Sequence, residues 1–190
     1  MEFLKTLHNK KTSLPRKIKI NWSLGMWFFM NTCYVMSLIT SLMLFTAFFQ
    51  NFFHFFIFQA NEVTFIILTS IVYLFTETLV IFFFVGTGVS IKEYTLEHKL
   101  TPDYHRQSIA IKRRVYPPLL LNMLFMLTLF ILIGAVDTGR LPAWIFRIYF
   151  LFCLWHFSYA KKIQHACFRD NTLNILKMSG IKSGIKPQMS

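Results

Sequence analysis

The chain has 190 residues, of which 55% are hydrophobic and 15% charged, against roughly 45–50% and about 25% in average soluble proteins. It carries 23 phenylalanines and a formal charge of +12. So much apolar surface cannot be hidden inside one small globule, which excludes a soluble nucleic-acid binder, a disordered chain and a disulfide scaffold and implies that lipid covers part of the surface.

The expected fold is all-α: an integral membrane bundle of four transmembrane helices with short interfacial amphipathic helices. Hydrocarbon about 30 Å thick needs roughly 20 apolar residues of helix. Unpaired backbone groups are not tolerated in lipid, so each span is read as α-helical. Residues 1–21 form a basic N-tail. They are followed by an apolar run far longer than a signal peptide's, so the tail is read as retained. The first span covers about 22–49. Gln50-Asn51 is read as its outer interface, and Phe52 to Phe58 as a short Phe-rich helix along the surface. The second span covers about 63–90, the third about 117–136 and the fourth about 142–160. Residues 161–190 form a basic C-tail.

Between the second and third spans, Thr101-Pro102-Asp103 reads as a helix start, with a cap, a proline and an acid in the first turn. A basic helix from Pro102 to Arg114 should lie on the inner leaflet, and Tyr116-Pro117-Pro118 should end it. In the tail, Asp170-Asn171-Thr172 should cap another short helix through Met178.

Charge sets the expected direction. Six Lys/Arg fall in each of the N-tail, the middle loop and the C-tail, while the other two connections hold only Arg140 and Arg147. The positive-inside rule then puts both termini in the cytoplasm, as in a bacterial inner membrane. Trp22, Trp27, Trp144, Tyr116 and Tyr159 lie near span ends, where interfacial aromatics collect. Anionic lipid is the expected partner of the basic segments, alongside other membrane subunits. Cys33, Cys153 and Cys167 show no metal-type spacing.

Functional information should be concentrated where polarity is costly. Glu77 lies near the middle of the second span, so it must face other helices or water, be paired, or be protonated. Counted from the outer span ends at about 1.5 Å per residue, Glu77, Asn122 and His156 each lie roughly 21 Å deep and Ser37 roughly 18 Å. These four are expected to form a polar layer inside the bundle. Gly86-Thr87-Gly88 does not follow a strand, so it argues for close approach of a helix or flat cofactor rather than phosphate binding. His156, Gly86 and Gly88 are therefore the candidate cofactor contacts, with a haem, quinone or pigment as candidate groups. No second histidine matches His156 in depth, because His54 lies beyond the first span, so bis-histidine haem is disfavoured. Glu93, Glu97, His98, Asp103, His105 and His165 gather acids and imidazoles near the inner surface without a metal-binding motif, and solvated ion pairs explain them. Arg147 is expected to snorkel or to pair with Asp137.

These residues imply an accessory or cofactor-holding subunit of a larger membrane complex, electron-transferring or proton-handling, without catalysis of its own. The alternatives are a small oligomeric transporter or channel using Glu77, a lipid enzyme using the inner-surface histidines, and a purely structural or assembly subunit. Missing motifs and the lack of inverted repeats weaken the enzyme and transporter readings.

Overall fold

The computed structural model describes residues 16–53, 55 and 61–178, with side chains described from Gly25 onward. The described residues form four long helices: α1 (Arg16–Phe53), α2 (Glu62–Glu97), α3 (Asp103–Asp137) and α4 (Ala143–Met178). Most of the basic N-tail and the Phe-rich segment after Phe53 lie outside the described residues. Packing follows chain order, α1 on α2, α2 on α3 and α3 on α4, and α4 closes the ring against α1 over a narrower seam. The α3–α4 connection is a tight turn in which Gly139 takes a left-handed φ of 71°, which a glycine adopts without a Cβ clash.

α1 from Gly25, α2 and α3 are long and apolar enough to cross a membrane, the mark of a multi-pass membrane protein. α4 is less apolar. His156, Gln164, Asn171 and Asn174 are buried, while Trp144, Ile148, Leu151, Trp155 and Tyr159 are exposed. α4 therefore turns those four polar residues into the bundle together with Phe146, Phe150, Phe157 and Phe168, while Ser158, Lys162, His165 and Arg169 are exposed.

Hydrogen bonds set the register of the last hairpin. Asn122 meets His156, and the Asn174 amide donates to the Tyr104 carbonyl at 3.0 Å. Counted on this register from the turn end, about 22 residues of helix span 33 Å, close to the hydrocarbon thickness. On α3 that puts Arg113 and Arg114 at one interface, level with His165 of α4. All but two of the described Lys/Arg with described side chains lie near or beyond that level, and we call it the basic end.

The helices do not stop there. α3 is continuous from Asp103 and passes through Pro117 and Pro118, and α4 is continuous to Met178. The expected separate helices at 102–114 and 170–178 are continuous with α3 and α4. Two adjacent prolines free the carbonyls four residues earlier, at Arg113 and Arg114, but those groups fall at the interface, where water or side chains can serve them. Asn171 is buried, and the Thr172 hydroxyl donates to the Phe168 carbonyl, so neither starts a new helix. α3 begins at Asp103 without a side-chain cap. The extensions have a small core of their own around Ile91, Ile175 and Met178.

At the turn end, Gln50 and Asn51 are buried among the helix ends. Asn51 donates to Glu62 Oε2 at 2.9 Å and accepts from Arg147 at its backbone carbonyl at 3.4 Å. Arg147 also lies over the Phe52 ring at 5.9 Å. These contacts hold the ends of α1, α2 and α4 together. The α2 start carries a true cap, the Asn61 side chain accepting from the Thr64 amide at 2.9 Å.

Candidate functional site

The buried centre of the bundle is built around Glu77, which has no exposed surface. Its neighbour is Lys161, whose Nζ lies 2.9 Å from Glu77 Oε1. Although the approach is that of an ion pair, neither carboxylate oxygen accepts a well-angled hydrogen bond from a described residue. The pair spans the bundle from α2 to α4, which are not neighbours in the ring. Lys161 had been assigned to the tail because it follows the last apolar run. Helical side chains lean towards their helix's N-terminus. α4 starts at the turn end, so a lysine near the basic end leans back into the bundle. Its ammonium also donates to Gln164 Oε1 at 2.8 Å and sits 5.1 Å from the Phe157 ring centre.

Asn122 and His156 do meet, as the depth estimate anticipated. Asn122 Oδ1 accepts from His156 Nδ1. A carbonyl oxygen can only accept, so the proton of this bond is on Nδ1, and Nε2 is left as the ring's other nitrogen. Phe125 packs edge-on against the imidazole at 4.9 Å, with Tyr159 beyond it at 6.2 Å. Tyr73, buried on α2, lies near both Asn122 and Glu77. On α1, Cys33 faces Glu77 and Lys161.

Ser37 takes a different position from the expected layer. It is only half-buried, and the buried hydroxyl on α1 is Thr40, bonded to Thr76 at 2.7 Å. Serine and threonine are equally small and polar, so depth alone does not select the residue that faces inward; helical phase does.

The three candidate cofactor contacts do not form one cluster. A Cβ on Gly88 would collide with the end of Lys112 and crowd Ser108, so this glycine makes room for α3. Lys112 is ten residues from Asn122, the partner of His156, or about 15 Å along α3. Gly86 has open space at its Cβ position and lines a cleft of about 320 Å³ with Gly25, Phe29 and Thr87, between α1 and α2.

Among the described residues, no three His, Cys, Asp or Glu gather to hold a metal. All three cysteines are free and buried. Burial pushes the Cys167 thiol up to about 11, with Arg114 pulling it down and Asp170 adding to the rise. At the basic end, Tyr34 of α1 and His165 of α4 are joined hydroxyl to Nδ1 at 2.9 Å. Sequence reading missed Lys161, Tyr73 and this Tyr34–His165 pair; a helical wheel of α4 would have put Lys161 beside the Phe157 and Gln164 positions. Comparison with protein-family models, with curated proteins and with solved structures finds no match.

Proposed function

We propose that this protein is an accessory subunit of a larger membrane complex and that Glu77 and Lys161 handle protons within it. The observation that carries the reading is a fully buried carboxylate beside a lysine ammonium, with both oxygens short of well-angled hydrogen bonds. Intramembrane ionisable residues are costly and usually mark ion or proton pathways. Amides and hydroxyls join membrane helices at lower cost, and this bundle already uses them in Asn122–His156 and Thr40–Thr76. A carboxylate–ammonium pair adds a proton that can change owner.

α4 serves as the fourth span in this reading. His156 and Gln164 face the other helices, and Trp155, at 66% exposure, faces outward with its aliphatic neighbours. The basic end then faces the cytoplasm with both termini, by the charge bias. Anionic headgroups are the natural counter-ions of Arg113, Arg114 and Lys162 there. Beyond the basic interface the described residues are helix extensions around a small apolar core, and in this reading substrate chemistry comes from partner chains.

Purification in mild detergent with identification of co-purifying chains, followed by proton flux in proteoliposomes of the assembled complex, tests this. Glu77→Gln is expected to leave assembly intact and to reduce proton-coupled activity at least tenfold, as loss of a positioned acid–base group does. Unchanged flux would leave the purely structural reading, which the hydroxyl and amide bonds between helices favour.

A further inference from the structure

Glu77 is not placed symmetrically between the two membrane faces, and its surroundings differ on either side. Towards the turn end, the core is apolar: Leu44, Phe65, Ile66, Leu129, Ile133 and Phe150 are packed together there. Thr69 and Ser70 lie in that region, but each hydroxyl donates to a carbonyl of its own helix, at Phe65 and Ile66. They offer no chain of donors outward. Towards the basic end, the bundle axis is also closed, by Val80, Phe84, Leu119 and Phe168.

Lys161 passes round that second block. Its ammonium touches Glu77, yet 18% of its side-chain surface is exposed. One turn further along α4 is His165, which is exposed at the interface and bonded across the α1–α4 seam to Tyr34. Positions four apart on a helix are surface neighbours. Lys161 and His165 therefore follow one another along the seam, from the buried carboxyl to the aqueous edge.

We propose that Glu77 exchanges its proton only with the basic side of the membrane, through Lys161 along the α1–α4 seam, with the Tyr34–His165 pair at the mouth. This rests on the proton-handling reading above. The ionisable groups facing Glu77 are Cys33 from α1, Tyr73 from its own helix and Lys161 from α4, while α3 contributes the Asn122 amide through Tyr73. In the loading step, the Lys161 ammonium gives a proton to the Glu77 carboxylate. An N–H bond breaks, an O–H bond forms, and the electron pair stays on nitrogen. The neutral amine then takes a proton from His165 or from water on the basic side. The net change is one proton moved from that water to the carboxyl, with nothing oxidised or reduced. Lys161, His165 and Tyr34 act as positioning and relay groups, and the apolar plug prevents leakage to the other side.

A hydrophobic carbodiimide reacts with protonated carboxyls inside membranes, and modification of Glu77 can be read by mass spectrometry. The full chain is reconstituted in vesicles selected for one orientation by a C-terminal tag, and the pH of each side is set separately. Raising the basic-side pH from about 6 to about 9 should reduce Glu77 labelling at least tenfold, and the same change on the far side should leave it within about twofold. After a basic-side pH jump, Lys161→Met should delay the change in labelling by about tenfold or more, and His165→Ala by a smaller factor. Labelling that follows the far side, or both sides equally, overturns the one-sided route and leaves proton handling standing. Labelling indifferent to pH on both sides overturns proton handling itself. Wild-type kinetics in His165→Ala, an exposed position with little effect on folding, overturns the mouth of the route even if Lys161→Met fails to fold.

Discussion

Replacing Lys161 by Met leaves the Glu77 carboxyl without its cation in a site with no exposure. Removing one partner of a buried pair typically costs about 3–5 kcal/mol. We expect Lys161→Met to destabilise the bundle on that scale, as followed by helix content during titration with a denaturing detergent. Adding Glu77→Gln should recover most of the loss, because the double variant buries no charge. Additive losses would show that the two side chains are not coupled. His156→Phe should be milder, at about 1 kcal/mol, since hydrogen bonds between membrane helices contribute little net. Its ring has Phe125 against one side, and the new ring can fill much of the same space. The relevant sequence signal at this scale was polarity at depth. It found Glu77, Asn122 and His156, but not Lys161, because a lysine's charged end lies several ångströms from its backbone.

At the scale of the helix, continuity of α3 across Pro117-Pro118 is the main departure from expectation. Proline stops a helix when the freed carbonyls have no other partner, and here they fall at the interface. Replacing both prolines by Ala should leave helix content within a few per cent, measured by circular dichroism. A clear gain would mean that the segment before Tyr116 is a separate helix. α4 makes a second prediction. Its extension buries Cys167 completely, and the thiol's raised titration, to about 11, leaves little thiolate at ordinary pH. Alkylation of Cys167 at about pH 8 should be at least a hundredfold slower in the folded protein than after denaturation, because only the exposed thiolate reacts.

For the whole molecule, the ring of four helices leaves its weakest contact between α1 and α4. In the half away from the basic end, this seam opens as an apolar cleft of about 660 Å³ lined by Phe45, Phe49, Leu151, Phe152 and Trp155. In the basic half, Tyr34 meets His165 and Phe168, the latter at a ring distance of 5.2 Å. If α4 is the fourth span, Trp155 faces hydrocarbon, about 18 Å from the turn-end interface. Lipids brominated on their acyl chains should quench Trp155 in a variant whose other three tryptophans are Phe, while acrylamide in the water should not. Efficient quenching by acrylamide would take α4 out of the membrane.

Composition, the length of the apolar runs and a depth count were enough to indicate helices and a lipid environment and to single out an acid, an amide and an imidazole, because burying polar groups in hydrocarbon is so unfavourable that few sequences attempt it without cause. Tertiary structure decided which of those residues meet. Glu77 pairs with a lysine from a helix that is not adjacent, Thr40 replaces Ser37, and Gly88 makes room for Lys112. Those choices depend on helical phase, on the direction in which side chains lean and on register between helices. A residue's distance from the end of an apolar run contains none of that information.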